Sequence, residues 1–157
     1  MPAGPEVSII IYAGASGHYE EIAPIVEELR KEYAVTILTN RTPFTSGLAQ
    51  CEFVLEFGPS ALGQLLAVAG SFVVGLRQIV GRKPRVVLCT GPISAIGVLV
   101  AARLVGVRSI YLDTLCRYRD LSGTGKMARL LAHTTLVQWP HLIEKAGRHG
   151  AYWGNVI

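Results

Sequence analysis

The sequence predicts an α/β chain: a Rossmann-like, doubly wound parallel sheet. Two observations carry this reading. Apolar, strand-like runs lie at 7–12, 34–39, 53–57, 85–90, 107–113 and 134–139, and helical patterns stand between several of them. The first run is continuous in β-branched and aromatic residues, as in a strand buried on both faces. Over 19–33, Ile22, Ile25, Val26 and Leu29 fall at helical spacing, with glutamates and Arg30 on the opposite side. A second helix is expected over 93–104, with Gly106 placed to cap it. Pro140 suits the first turn of a short helix after the last run. The 157 residues, half of them apolar, fit one domain over 1–157, without internal repeat, low-complexity tract or linker. In such a sheet, ligands bind outside the carboxyl ends of the strands.

Charge is unevenly placed. Residues 1–60 hold three basic and eight acidic side chains, a net of −5, and residues 61–157 hold twelve and three, a net of +9. A basic half suits an anionic membrane surface or a phosphorylated ligand. No dense Lys/Arg run is interleaved with aromatics, so nucleic acid is set aside as a partner. Cys51, Cys89 and Cys116 stand far apart, without the spacing of a zinc site or a disulfide framework, which fits a reducing compartment. No metal or cofactor is expected. The first six residues contain two prolines and a glutamate and do not read as a signal sequence.

Residues 60–76 carry no charged side chain, and Arg77, Arg82, Lys83 and Arg85 follow at once. The run reaches the edge of the length needed to span a bilayer, about 18 residues, but it sits between two strands of one sheet. Two readings remain open. One is a helix lying in a membrane interface through Leu65, Leu66, Phe72 and Val73, with Arg77 toward the headgroups. The other is a crossover helix buried in the core or under a partner.

The chemistry-bearing residues cluster after strands. Gly14, Ser16, Gly17 and His18 lie where the first strand meets the first helix, a place suited to an anion or serving simply as a tight turn. The spacing Gly14-x-x-Gly17 is not the dinucleotide fingerprint. His18 is a candidate general base, because imidazole titrates near neutral pH; alternatively it binds backbone or phosphate at the helix start. Thr90 and Gly91 precede Pro92 at a second strand-to-helix turn, which serves either a ligand or the turn itself. Asp113 ends the fifth strand and acts as a base, orients a hydroxyl, or pairs with Arg117 or Arg119. Those arginines suit a forked grip on phosphate. Ser122-Gly123-Thr124-Gly125-Lys126 is not a P-loop, since Asp120 stands where a glycine is needed and Met127 where a hydroxyl is needed. Ser122 and Lys126 remain suited to an anion at a helix start, or to a solvated cap. Trp139 is read as a packing anchor.

Four stretches taken in order, Gly14-Ala15-Ser16-Gly17-His18, Leu121 to Lys126, Val137-Gln138-Trp139-Pro140 and Tyr152-Trp153-Gly154, carry a resemblance over 7–157. The chain resembles the membrane-anchoring, acceptor-binding subunit of the two-component UDP-N-acetylglucosamine transferase of N-glycan assembly, and the bacterial relatives of that subunit in exopolysaccharide and capsule synthesis. The resemblance departs in two places: Ser16 replaces the first of a glycine pair, and Asp113 stands where a glutamate is common. It implies the N-terminal half of a two-domain, GT-B-type glycosyltransferase that is inactive alone. It implies that the glycine loop holds the pyrophosphate of a lipid-diphosphate-linked sugar acceptor. The implied partner is a separate donor-binding glycosyltransferase subunit, and the implied location is peripheral, on the cytoplasmic face of the membrane. Two rivals stand beside it: a non-catalytic docking protein for that subunit, and a free-standing nucleotide-binding oxidoreductase.

Overall fold

The computed structural model describes residues 7–14, 17–43 and 45–155. Seven parallel strands make one sheet in the order β3-β2-β1-β4-β5-β6-β7. They are β1 Ser8–Ala13, β2 Ala34–Asn40, β3 Cys51–Val54, β4 Val86–Thr90, β5 Arg108–Leu112, β6 Thr134–Leu136 and β7 Gly150–Ala151. The helices are α1 Gly17–Arg30, α2 Ala61–Arg82, α3 Ala95–Val105, α4 Gly123–Ala128 and α5 Ile143–Ala146. The chain steps outward from β1 to β3, then crosses back through α2 to lay β4 along the other side of β1, with Ile11 opposite Leu88. The strand order therefore reverses between β1 and β4, and a crevice opens at their carboxyl ends.

Alternate strand residues feed two cores. Ile10, Tyr12, Val87, Cys89 and Tyr111 pack with Ile79 of α2 and with α3 on one face. Ile9, Ile11, Val35, Leu88 and Leu112 lie under Ile22 and Val26 of α1 on the other. Each fully buried Ile or Leu contributes roughly 1.5–3 kcal/mol over its exposed state. Helices α2 and α3 touch almost backbone to backbone. A Cβ on Gly97 would lie 2.2 Å from both Ser71 Oγ and the Val68 carbonyl oxygen, and the Ser71 hydroxyl donates to the Ser94 carbonyl at 2.6 Å.

The elements expected from sequence form, with shifted ends. The third strand ends at Val54, before the expected 57, because the pairing partner β2 stops at Asn40. Residues 55–57 leave the ladder and become the wall of a recess. The sixth strand stops at Leu136 rather than 139, although the Val137 N–H still donates to the Ala151 carbonyl at 2.9 Å. Gly106 caps α3 at φ 80°, as expected. Strand β7 was not foreseen; two residues carry no periodicity.

The apolar segment belongs to α2, which runs six residues past Leu76 to Arg82 and is capped by Ser60 and Lys83. Its two expected roles fall on opposite sides of one helix. Leu65, Leu66 and Val73 are 65%, 43% and 63% exposed. Phe72 differs from the expectation of membrane contact: it packs with Val68 against the core, on the side where α2 meets α3. Arg77 pairs with Glu52 of β3 at 3.1 Å.

Candidate functional site at the β1–β4 crevice

Two strand-to-helix turns meet at the strand-order reversal. Gly14 follows β1 so closely under the second turn that a Cβ there would lie 2.3 Å from Pro92 Cδ. Gly91 follows β4 at φ 108°, a conformation that favours glycine, and a Cβ on it would fall 3.0 Å from Gly14 N and 3.1 Å from the His18 ring. The structure thus brings Gly14, His18 and Gly91 together, with Gly17 opening α1 beside them. Ser16 lies outside the described residues. Thr90 is fully buried, and its hydroxyl has no hydrogen-bond partner among the described residues. The Tyr111 hydroxyl donates to the Gly91 carbonyl at 3.2 Å. Burial pushes the phenols of Tyr12 and Tyr111 well above their ordinary range. Tyr12 uses its hydroxyl against Ser94 at 2.5 Å.

Asp113 is buried just past β5. The ion pair with Arg117 or Arg119, one of its alternative readings, is not formed among the described residues. Instead Oδ2 accepts from the Ser122 N–H at 3.0 Å and Oδ1 accepts from the Ser122 hydroxyl at 2.5 Å. Ser122 Oγ in turn caps α4 by accepting from the Gly125 N–H at 2.8 Å. A Cβ on Gly125 would sit 2.8 Å from Asp113 Oδ1, so glycine there lets α4 close onto the carboxylate. Lys126, at the far end of this short helix, pairs with Asp120 at 2.5 Å. Asp113, Ser122 and Lys126 are therefore engaged within the protein. Arg117 and Arg119 are exposed, with no carboxylate at ion-pair distance among the described residues.

The Val137-Gln138-Trp139-Pro140 stretch fixes the 113–121 loop. Gln138 is buried and donates through Nε2 to Glu21 at 2.5 Å and to the Asp113 carbonyl at 3.1 Å. Trp139 Nε1 donates to the Leu115 carbonyl at 2.9 Å, and its ring meets Tyr118 edge-on. Trp139 is thus an anchor, as its sequence context implied. Glu21 went unnoticed. It reaches from α1 to accept from the Leu115 N–H at 2.6 Å and the Thr114 hydroxyl at 3.1 Å. In sequence it is one of several glutamates on α1, and only its place one turn into the helix sets it apart.

A sheet that reverses order between two glycine turns, with a histidine over them, defines a Rossmann-like domain of the kind found in GT-B glycosyltransferases and UDP-N-acetylglucosamine 2-epimerases. The UDP-bound structure of MnaA from S. aureus superposes with a TM-score of 0.74 at 14% identity, over 96% of this chain and 44% of that one. MurG from Acinetobacter baumannii gives 0.65 at 16% identity, over 87% of this chain and 42% of that one. These likenesses concern the fold, and this chain spans less than half of either structure. The model of the family "Oligosaccharide biosynthesis protein Alg14 like" matches residues 48–156, and the chain belongs to that family. A protein of Yarrowia lipolytica named "UDP-N-acetylglucosamine transferase subunit ALG14" is 27% identical over 182 aligned positions, covering 99% of this chain and 84% of that one. The mouse protein of the same name is 36% identical over 81 residues, which are 48% of this chain and 37% of that protein.

Proposed function

We propose that this chain is the acceptor-side subunit of a heteromeric glycosyltransferase. It binds a lipid-diphosphate-linked sugar at the cytoplasmic membrane face and works with a separate subunit that holds the nucleotide sugar. The observation that carries this reading is the match over 99% of the chain to a protein named as a subunit of a UDP-N-acetylglucosamine transferase; a subunit implies a second chain. The crevice supports it. Gly14 and Gly91 let the two turns pack on each other, and Gly17, with open space beside it, exposes the start of α1 to a diphosphate, where helix N–H groups favour negative charge. Arg117 and Arg119 supply cations on the loop after β5. His18, over both turns, takes the proton of the acceptor hydroxyl. Asp113 acts here by holding Ser122 and α4, and so shapes the acceptor side of the crevice. Leu65, Leu66 and Val73 give α2 an apolar outer surface for the membrane on which such a lipid resides.

The test is reconstitution. The chain alone shows no sugar transfer from UDP-N-acetylglucosamine to a lipid-diphosphate sugar, and the pair does. His18→Ala in the pair lowers turnover by roughly 10²–10⁴-fold while the two subunits still copurify. Turnover by the chain alone would defeat the split reading. Full activity of the His18→Ala pair would exclude His18 as the base, and full activity of an Asp113→Ala pair as well would favour a docking protein.

A further inference from the structure

Beside the crevice lies a separate recess of about 360 Å³ at the carboxyl ends of β2 and β3. One wall is the loop between β3 and α2, bearing Glu56 and Phe57; the second is the start of α2 with Gln64; the third is Pro92 to Ser94. Pro92 is shared with the crevice, since the same ring packs on Gly14. The walls are held in place. A Cβ on Gly63 would lie 2.1 Å from the Gly58 carbonyl oxygen, so glycine there lets the loop and the first turn of α2 touch. Gln64 Nε2 donates to the Pro59 carbonyl at 3.1 Å, and its carbonyl oxygen has no partner among the described residues. Glu56 has no cation at ion-pair distance among the described residues.

We propose that this recess is the subsite for the sugar ring of the acceptor, with Glu56 as the residue that reads its hydroxyls. The inference rests on the acceptor-side reading above and deepens it. An unpaired carboxylate accepts hydrogen bonds from neighbouring hydroxyls, and the Gln64 amide oxygen adds another acceptor. Phe57, Pro59 and Pro92 offer apolar surface to the C–H face of a pyranose. A recess that sets polar side chains among apolar ones, as Glu56 and Gln64 stand among Leu55, Phe57 and Pro92 here, suits a small polar molecule. The diphosphate then falls toward the glycine turns across Pro92. The lipid leaves past Leu55, which lines the recess and is exposed.

The experiment is calorimetric titration of the full chain with short-chain prenyl diphosphates bearing glucose, galactose or N-acetylglucosamine, and with the same diphosphate lacking a sugar. The wild type is expected to bind at least one sugar-bearing probe more tightly than the sugar-free one. Glu56→Gln is expected to weaken that probe by roughly tenfold and to leave sugar-free affinity and the far-ultraviolet circular dichroism unchanged. Equal binding of sugar-bearing and sugar-free probes by the wild type, or an indifferent Glu56→Gln, overturns the subsite while the diphosphate reading survives. A wild type that binds neither kind of probe overturns the acceptor reading and the subsite with it.

Discussion

Glu21 joins three segments that are far apart in sequence. Its carboxylate accepts from the Leu115 N–H, the Thr114 hydroxyl and the Gln138 amide, so α1 is tied to the ends of β5 and β6. Removing it takes the acceptor from the part-buried Leu115 N–H and Thr114 hydroxyl, at a cost of about 1–3 kcal/mol. Glu21→Ala should therefore lower the unfolding free energy by that much, read as a lower urea midpoint at unchanged slope; an unchanged midpoint would mean that the donors find other partners. A second prediction concerns Asp120. The Lys126 ammonium hydrogen-bonded to it holds its carboxyl below the ordinary carboxylate range, with its own desolvation working the other way and smaller help from the Leu121 N–H and Lys145. A depressed carboxylate stabilises the fold above its unfolded pKa and loses that contribution as pH falls through the folded value. Carbon-detected titration should place the Asp120 midpoint below that of an ordinary aspartate, and Lys126→Ala should raise it.

At the scale of elements, the α2–α3 contact decides how the crossover helix sits. Gly97→Ala would press a methyl into Ser71 Oγ and the Val68 carbonyl, an overpacking that costs about 1–3 kcal/mol. Thermal unfolding should show the loss, and a neutral result would mean that the two helices slide apart freely. This contact also shows how far the sequence could be read. The lack of charge over 60–76 marked a helix with an unusual surface, but Phe72 and Val73 are neighbours of similar character. Only the fixed position of α3 turns one inward and leaves the other in solvent. Strand identities came from apolar runs and their order; strand ends did not, since Val54 ends β3 where its partner β2 ends. The Gly14, Gly91 and His18 grouping followed from strands that end at one edge. The partner of Asp113 was not legible, because Ser122 and the nearby arginines lie on the same loop, and folding of α4 selects between them. Glu56 drew no attention, standing in a run expected to be strand.

Across the whole molecule, the net of +9 over residues 61–157 meets an apolar surface on one helix. Helix α2 is long and apolar enough to cross a bilayer, yet Ile79 and its neighbours are built into the core and hold it on the sheet. That arrangement suits lying at an interface. Leu62, Leu65, Leu66 and Val73 form an exposed stripe, and Arg82, Lys83 and Arg85 stand exposed at its end. The chain should then sediment with vesicles containing phosphatidylserine at low salt. Each basic residue near the surface adds about 1 kcal/mol, a part that weakens as salt shortens the screening length. The structure separates two variants that the sequence could not. Leu65→Ser with Leu66→Ser should stay folded and lose vesicle binding, since both side chains face solvent. Phe72→Ser should instead destabilise the fold by about 3 kcal/mol, near the lower end for removing a packed phenylalanine. Unfolding of the double leucine variant would place that stripe in the core, and wild-type protein that ignores such vesicles at low salt would exclude the interfacial role of α2.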